Sequence, residues 1–336
     1  MSFRSDFLAA LPQLTPATFE AAALRLFRHQ AVHCPPYAAY LARLHRDPAS
    51  INTLVDIPFL PIEFFKTHEV KTEPAAWEPK EVFLSSGTTL QQRSRHLVRE
   101  PALYRDNAAR IFEHYYGPLT SWIFLALLPS YLEQGQSSLV AMVADFVNNS
   151  GQTLRPAFFL RDHAALLHAL RRAKQPAARQ RRVMLIGVSY ALLDFAAEVG
   201  PAPELQGLTV LETGGMKGRR REMIREELHQ ELQQAFGSAG IHSEYGMTEL
   251  LSQAYSLGDG RFHTTPPLRV LLRDPSDPFS VSLTRGDGAI NVIDLANVDS
   301  CAFIETKDLA RMHPDGSFEV LGRMDNSDVR GCNQLV

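Results

Sequence analysis

Apolar and polar residues alternate along the chain with two different periods, and each period predicts one kind of element. In TFEAAALRLFRHQ the apolar residues recur every three or four positions, which predicts an amphipathic helix. Its apolar face consists of Phe19, Ala22, Ala23 and Phe27. The chain up to about Asp47 is therefore predicted to be helical. The proline-rich segment DIPFLPIEFFKTHEV that follows is predicted to be extended.

Further along the chain, short apolar runs alternate with helical patterns. SWIFLALL, RRVMLIGV and LTVLET are predicted to be buried strands, and ALLDFAAEV is predicted to be a helix. Another helix is predicted from about Arg219 to Phe236. Its predicted core residues are Met223, Ile224, Leu228, Leu232 and Phe236. Strands that alternate with helices predict an α/β fold with a largely parallel sheet covered on both faces.

After Ile241 the pattern changes to short strands separated by Gly, Asp and Pro. RVLLRD, AINVIDL, CAFIETKDL and SFEVLG fit this description. They predict a small antiparallel, β-rich appendage to the α/β part.

Composition and charge narrow the class of protein. The chain has 336 residues, of which 45% are hydrophobic and 21% charged, as is typical of a globular protein with a substantial core. Its formal net charge of −3 argues against general nucleic-acid binding. The N-terminus lacks the long apolar core of a signal peptide, and the most apolar segment, WIFLALL, is too short to span a bilayer.

The cysteines and histidines bear on compartment and metal binding. Cys34, Cys301 and Cys332 are widely separated, which predicts neither a disulfide framework nor a metal-binding pair. The histidines show no ligand spacing such as HExxH. These patterns favour a reducing cytoplasm and argue against a structural metal. Cys34 and Cys301 lie in apolar surroundings and are predicted to be packing residues.

The segment VFLSSGTTLQQRSRHLV carries an apolar run into a loop rich in hydroxyl groups. Such a loop suits a polyphosphate, because glycine lets the backbone approach a ligand and the hydroxyls add donors. The candidate residues are Ser85, Ser86, Gly87, Thr88 and Thr89, with Arg93 and Arg95 as the nearest cations. The Walker spacing is absent, and an ordinary turn without a ligand also explains the composition.

A second candidate segment is HSEYGMTEL, in which an aromatic, a glycine, a hydroxyl and a carboxylate occur within five residues. These are Tyr245, Gly246, Thr248 and Glu249. If the segment is extended, alternate side chains share a face, so that a ring can cover a base while Thr248 contacts phosphate and Glu249 holds Mg²⁺. A half-buried strand with a solvated glutamate explains it equally well.

A third candidate segment lies near the end, in ETKDLAR and GRMDNSDVRGCNQLV. Asp308 and Arg323 are candidates for binding ribose hydroxyls or phosphate. Ordinary hairpin chemistry is the alternative, because Asp, Gly and Asn are common turn residues.

In this order, SSGTT, a Gly-Gly pair after a strand, YGMTE, TKDL and GRMD…RG resemble the adenylate-forming superfamily of acyl-CoA synthetases, luciferases and nonribosomal adenylation domains. PFLPIEFFKTHEV, SRHLV, LPSYLEQGQSSLVAMV, ETGGMKGR and the terminal RGC resemble, more narrowly, the LuxE-type acyl-protein synthetases. The similarity runs from about Ile57 to Val336. It implies the adenylate-forming large-domain fold over residues 1–322, with a helical segment over about 1–80 and a β-rich part over about 241–322. Residues 323–336 would be a truncated hinge and a cysteine-bearing tail, without the mobile C-terminal domain.

The resemblance also implies a role for each matching residue. The loop Ser85, Ser86, Gly87, Thr88 and Thr89, with Arg95, would cradle the ATP phosphates. Gly214, Gly215, Tyr245 and Gly246 would lie against the adenine. Thr248 would reach the α-phosphate, and Glu249 the Mg²⁺. Asp308 would bind the ribose hydroxyls with Arg323 beside it.

Two departures from the superfamily pattern concern catalysis. The phosphate loop usually continues with Gly-x-Pro-Lys, whereas here it continues LQQRSR, with Leu90 in place of the glycine. The superfamily's catalytic lysine lies in the C-terminal domain that this pattern lacks. Lys66 or one of the loop arginines would have to replace it, unless adenylation is slow or a partner supplies the group.

Cys332 lies close to the C-terminus, after Arg330 and Gly331. A tail thiol of this kind can attack an acyl adenylate to give a thioester, and the neighbouring arginine favours the thiolate. An exposed cysteine without a function is the alternative. The resemblance implies the first role, because LuxE-type proteins are acylated on a cysteine near the C-terminus.

The predicted function is therefore ATP- and Mg²⁺-dependent activation of a carboxylic acid as acyl-AMP, followed by transfer to Cys332 for delivery to an acyl-CoA or fatty-acid reductase. The LuxE-type resemblance implies that the acid is a fatty acid. One alternative is transfer to coenzyme A or a carrier protein. Another is a degenerate nucleotide-binding scaffold, and a further one is an unrelated hydrolase with Ser85 or Ser86 as the nucleophile. The latter lacks the G-x-S-x-G elbow. The sequence leaves the chain length of the acid and the oligomeric state open.

Overall fold

A computed structural model describes residues 2–86, 92–128, 136–175, 181–200, 202–214, 223–237, 240–284 and 286–324. The chain divides into two compact units. The first combines the two ends of the sequence, Met1–Glu78 and Thr264–Val336, and the second is Pro79–His263.

The elements are numbered in chain order. The strands are β1 (Leu60–Pro61), β2 (Glu81–Leu84), β3 (Arg95–Val98), β4 (Trp122–Leu127), β5 (Arg182–Val188), β6 (Thr209–Thr213), β7 (His242–Tyr245), β8 (Ala254–Ser256), β9 (Leu268–Asp274), β10 (Asp277–Ser282), β11 (Asp287–Asp294), β12 (Phe303–Met312) and β13 (Phe318–Arg323). The α-helices are α1 (Phe3–Ala10), α2 (Pro16–His33), α3 (Pro35–Arg43), α4 (Phe64–Thr67), α5 (Pro101–Tyr116), α6 (Ser138–Asn149), α7 (His163–Ala173), α8 (Ser189–Val199) and α9 (Arg225–Phe236). Short 3₁₀ turns cover Leu11–Gln13, Pro48–Ser50, Leu54–Asp56, Pro74–Ala76, Leu119–Ser121 and Pro203–Leu205.

The first unit consists of N-terminal helices and a sheet from the C-terminal part of the chain. Its described strands lie in the order β1-β12-β11-β9-β10, with β13 also paired to β12. The strands after Thr264 pair antiparallel, as predicted, and β1 pairs parallel to β12. Helix α2 packs on this sheet, with the Phe27 and Phe303 ring centroids 5.8 Å apart. Helices α1, α2 and α3 occupy most of the chain up to Asp47, so the helical prediction for this stretch is confirmed.

The second unit contains the predicted parallel sheet. Strands β4, β5, β6 and β7 pair parallel in this order, and β8 pairs antiparallel to β7. Every residue of β4 is buried, because an uninterrupted apolar run needs cover on both faces. Ser243 faces α9, where its hydroxyl lies 3.2 Å from His229 Nε2. The adjacent His242 faces α5, where its Nδ1 lies 3.2 Å from the Tyr116 hydroxyl.

Three predictions of the elements need correction. Helix α9 begins at Arg225 rather than near Arg219, with Ile224 as its N-cap residue. The Ile224 side chain is 63% exposed and Met223 is half-buried, so neither is a core residue, whereas Leu228, Leu232 and Phe236 are buried. The segment predicted to be extended forms one helical turn at α4, after its last proline. The antiparallel sheet of the first unit begins after Thr264 rather than at Ile241, because β7 pairs parallel to β6 and β8 is the antiparallel edge strand of that same sheet.

Candidate functional site

The carboxyl ends of β6 and β7 bring two of the candidate segments together. The strands are neighbours in register, with Thr213 paired to Glu244. Gly214 follows β6 and is exposed, and Tyr245 ends β7, followed by the exposed Gly246. Ligands of α/β proteins usually bind at this edge of a parallel sheet. Gly215, which is predicted to lie against the adenine together with Gly214, is outside the described residues.

Thr248 and Glu249 lie in a turn that follows β7, and the extended geometry considered for HSEYGMTEL ends at Tyr245. The Leu250 N–H donates to the Met247 carbonyl at 3.1 Å and closes this turn. Glu249 is buried, with 4% of its surface exposed, and Thr248 is half-buried. Because both residues lie in a turn, the alternation of side chains along a strand does not determine the direction of the Thr248 side chain. The turn presents both residues beside the carboxyl edge.

The hydroxyl-rich loop is carried by the hairpin of β2 and β3. Ser85 closes this hairpin: its N–H donates to the Ser94 carbonyl at 3.1 Å, and its Oγ accepts from the Ser94 N–H at 2.9 Å. The guanidinium of Arg93 donates to the Ser85 carbonyl. In this contact the Ser85 hydroxyl is the acceptor, and Ser86 is exposed. Gly87, Thr88 and Thr89 lie outside the described residues.

His96 on β3 joins this hairpin to the turn that carries Thr248. Its Nδ1 lies 2.8 Å from the Thr248 carbonyl oxygen. Burial lowers the pKa of His96 to about 4, so the ring is neutral near pH 7 and its Nδ1–H donates to the carbonyl. The hairpin with the hydroxyl-rich loop is therefore held directly against the turn. The segment SRHLV gives no sequence signal of this contact, so a role for His96 was not predicted.

Asn107 on α5 holds the other side of the same segment. Its Nδ2 donates to the Leu251 carbonyl at 2.8 Å and to the Ser252 Oγ at 2.9 Å, and Arg110 donates to its Oδ1. The turn is thus fixed from β3 and from α5. A buried asparagine in a helix gives no sequence signal of its partner, so this residue was not predicted.

A buried network on the α9 face of the sheet surrounds Glu212 on β6. Its carboxylate accepts from Ser189 Oγ at 2.9 Å and pairs with Arg225 at 3.0 Å, while His229 lies 3.6 Å away. Burial raises the pKa of Glu212, but hydrogen bonding to His229 and the charge of Arg225 outweigh it, and the pKa is lowered overall. Ser243 and Glu212 both approach Nε2 of His229, so the three residues do not form a catalytic relay.

Three predicted site residues lie in the first unit. Asp308 and Arg323 are paired across β12 and β13, and the Arg323 Nε lies 3.2 Å from the Asp308 Oδ1. The predicted position of Arg323 beside Asp308 is therefore observed, while their binding of ribose stays a prediction. Lys66 is an exposed residue of α4. Arg95, on the second unit, is exposed at the start of β3.

The described cysteines are buried, as predicted. Burial raises the pKa of Cys34 to about 12 and raises that of Cys301 further above its ordinary value. Cys332 lies outside the described residues. In the described part of the chain, no group of three or more His, Cys, Asp or Glu residues is placed to hold a metal ion. Nor does that part contain a helix of the length and apolarity needed to cross a bilayer.

Solved structures with a similar fold include MatB from Rhodopseudomonas palustris. Its ATP-bound form aligns with a TM-score of 0.52 and 18% identity over 72% of this chain and 47% of that chain. The apo form aligns with a TM-score of 0.50 and 16% identity over 73% and 48%. An ATP-bound RpMatB-BxBclM chimera gives 0.52 and 16% over 72% and 47%.

The chain thus spans about half the length of the solved structures that it matches. No protein-family model and no curated protein matches the sequence. The structural likeness establishes the fold, and the predicted fold class, the α/β large domain of adenylate-forming enzymes, is confirmed.

Proposed function

We propose that this chain activates a carboxylic acid as an acyl adenylate at the expense of ATP. The observation that supports this proposal is the contact between His96 and the Thr248 carbonyl. It joins the hydroxyl-rich hairpin to the turn of Thr248 and Glu249, next to Gly214 and Tyr245 at the carboxyl edge of the sheet. The ATP-bound state of the MatB structure, whose fold this chain shares, adds support.

In the proposed reaction a carboxylate oxygen of the acid attacks the α-phosphorus of ATP, and the bond to the bridging oxygen of pyrophosphate breaks. Thr248 and the hairpin hydroxyls donate to the phosphate oxygens as negative charge develops there. Tyr245 and Gly214 hold the adenine. When bound, Mg²⁺ neutralises phosphate charge. Glu249 fits a role as its ligand, since Mg²⁺ at nucleotide sites is held by one or two carboxylates together with phosphate oxygens.

We further propose that the acyl group then passes to Cys332. The thiolate attacks the acyl carbonyl, AMP leaves with the electrons of the broken anhydride bond, and a thioester remains. The LuxE-type resemblance supports this step and a reductase as the next acceptor. The burial and raised pKa of Cys34 and Cys301 argue against either of them as the acceptor.

ATP–pyrophosphate exchange with a panel of carboxylic acids tests the first step. We expect acid-dependent exchange that falls about 100- to 1,000-fold in Thr248→Ala and in Glu249→Gln, the loss typical of a removed transition-state contact. Thr284→Ala and Glu231→Gln, at exposed positions, are the matched controls. Measurable ATP binding without exchange would instead support a degenerate scaffold. Labelling of the chain by a serine-reactive phosphonate would support the alternative of a hydrolase with Ser85 or Ser86 as its nucleophile.

A labelled acid followed on a denaturing gel tests the second step. The label should be released by hydroxylamine and absent from Cys332→Ala, while Cys34→Ala keeps it. Label that persists in Cys332→Ala would show that Cys332 does not carry the thioester. AMP release that depends on coenzyme A would instead support acyl transfer to coenzyme A. Substitution of Lys66, Arg93 or Arg95 by Met tests which of these cations contributes to adenylation, and loss of exchange in one variant identifies it.

A further inference from the structure

A polar cluster on the α5 face of the sheet has no role in the proposed formation of the acyl adenylate. Glu244 on β7 and Tyr255 on β8 are directly opposite each other in register, so their side chains share one face. Gln253 precedes Tyr255 by two positions and lies on the same face. Tyr245, the predicted adenine residue, points to the other face of β7.

Each member of this cluster has hydrogen-bonding capacity that the described chain leaves unused. Gln253 Oε1 and the Tyr255 hydroxyl are buried and have no hydrogen-bond partner among the described residues. The two residues are 3% and 0% exposed. No described residue hydrogen-bonds to or pairs with the half-buried Glu244 carboxylate. Because folded proteins satisfy nearly all their buried polar atoms, these groups call for a partner from outside the described residues.

The surroundings of the cluster are aromatic. The Tyr255 ring centroid lies 5.4 Å from that of Tyr116, 5.7 Å from that of Tyr115 and 6.3 Å from that of Phe112, all on α5. Burial, and then the charge of Glu212, raise the pKa of Glu244 to about 8. A cation beside Glu244 would reverse this effect, and the aromatic rings would add favourable contacts.

Gly246 connects the cluster to the proposed reaction centre. A Cβ at this position would lie 2.3 Å from Glu244 Oε1 and 3.6 Å from the Gln253 side chain. Glycine therefore lets both side chains close over the backbone between Tyr245 and the turn of Thr248 and Glu249. An acid held by this cluster would have its carboxylate near that turn.

We infer that Glu244, Gln253 and Tyr255 form the specificity-determining end of the acid-binding site and select a carboxylic acid that carries an ammonium group. This inference rests on the proposed function. Two acceptor oxygens and a hydroxyl in aromatic surroundings match the three N–H donors of an ammonium. An unsubstituted alkyl chain would leave all three polar groups unpaired. The free-energy cost of these unpaired groups would make the site bind the alkyl acid more weakly than the ammonium-bearing acid.

The test uses amino-substituted acids, each paired with the acid in which a methyl group replaces the ammonium. The amino group moves along the series from the carbon next to the carboxyl to the far end of the chain. Isothermal titration calorimetry gives binding without turnover, and pyrophosphate exchange gives kcat/KM. The wild-type chain should prefer one amino-substituted acid over its methyl partner by at least about tenfold.

Variants assign this preference to the cluster. Glu244→Leu should reverse this preference. Tyr255→Phe removes one hydroxyl, so it should weaken binding of the amino-substituted acid and bind the methyl partner at least as tightly as the wild type does. Glu231→Leu, at an exposed position of α9, is the control and should behave like wild type. Thermal denaturation of each variant checks that it folds.

The outcomes separate the inference from the proposed function. Exchange that favours the methyl partners throughout, or an equal effect of Glu244→Leu on both members of a pair, overturns the inference and leaves acyl-adenylate formation standing. Absence of exchange with every acid removes the proposed function, while calorimetry still decides the inference. A wild-type chain that binds none of the amino-substituted acids overturns the inference in either case.

Discussion

His96 and Thr248 are 152 positions apart in the sequence, and the hydrogen bond between them brings the candidate site together. Thr248 and Glu249 could be predicted because the residue types that bind a nucleotide occur close together in HSEYGMTEL. His96 could not, because nothing in SRHLV indicates a hydrogen-bond partner so far away in the sequence. The same holds for Asn107, whose partners are 144 and 145 positions away.

Replacing His96 tests whether this link positions the turn. His96→Ala removes a buried hydrogen bond and leaves a cavity, so we expect the unfolding free energy to fall by about 2–4 kcal/mol. We also expect kcat/KM for exchange to fall at least tenfold as Thr248 moves. His96→Asn places an amide donor near the Nδ1 position and should restore part of kcat. Urea denaturation and exchange kinetics measure the two effects, and equal kinetics for the two variants would contradict a positioning role.

The raised pKa of Glu244 predicts a pH dependence of stability. Its pKa is about 8 in the folded chain and near its ordinary value when unfolded, so the folded state binds more protons between these values. The unfolding free energy of the wild type should therefore fall as pH rises from about 5 to 8. Glu244→Gln cannot ionise and should become more stable than wild type across this window, by a few kcal/mol at its upper end. Urea denaturation at several pH values measures the difference, and parallel curves for the two chains would contradict the prediction.

At the scale of elements, continuous apolar runs predicted the strands well. SWIFLALL contains β4 and RRVMLIGV contains β5, because a strand buried on both faces has no polar alternation to obscure it. The start of α9 was predicted wrongly, since apolar spacing continues through Met223 and Ile224 without a break. The structure begins the helix at Arg225, and Glu226 and Glu227 in its first turn suit the positive end of the helix dipole.

Arg225 ties the start of α9 to the sheet and to the predicted adenine residue. It pairs with Glu212, and its guanidinium carbon lies 4.8 Å from the centroid of the Phe262 ring, which packs edge-on to Tyr245 at 5.9 Å. Arg225→Met leaves a buried carboxylate without its cation and should cost about 3–5 kcal/mol of stability. It should also raise the KM for ATP more than it lowers kcat.

A double-mutant cycle isolates the pair of Arg225 and Glu212. Glu212→Gln combined with Arg225→Met should cost less than the sum of the single changes, with a coupling of about 1–3 kcal/mol. Urea denaturation of the four chains gives this value. Additive effects would show that Arg225 and Glu212 do not stabilise the fold as a pair, and an unchanged KM for ATP would show that Arg225 does not act on the adenine site.

At the scale of the whole molecule, the first unit is assembled from the two ends of the sequence. The sequence predicted N-terminal helices and C-terminal strands separately, but nothing in either pattern shows that they pack together. Strand β1 has two residues and pairs with the start of β12, with Leu60 opposite Ile304. The spacing of apolar residues predicts the structure of one segment at a time. It therefore cannot predict contacts between segments that are far apart in the sequence.

Gln30 carries much of this assembly, and its replacement is a direct test of it. The side chain is fully buried on α2; its Nε2 donates to the carbonyls of Asn297 and Ser300, and its Oε1 accepts from the Ala302 N–H at 2.9 Å. Gln30→Leu keeps the volume but leaves these backbone groups unpaired, so we expect a loss of about 3 kcal/mol. Hydrogen exchange should then quicken in α2 and in the segment between β11 and β12, while β4 and β5 keep their protection. Gln230→Leu, exposed on α9, is the matched control. Equal loss of protection in both units would show that the ends of the chain do not form a separate cooperative unit, because a defect confined to Gln30 would then unfold the parallel sheet as well.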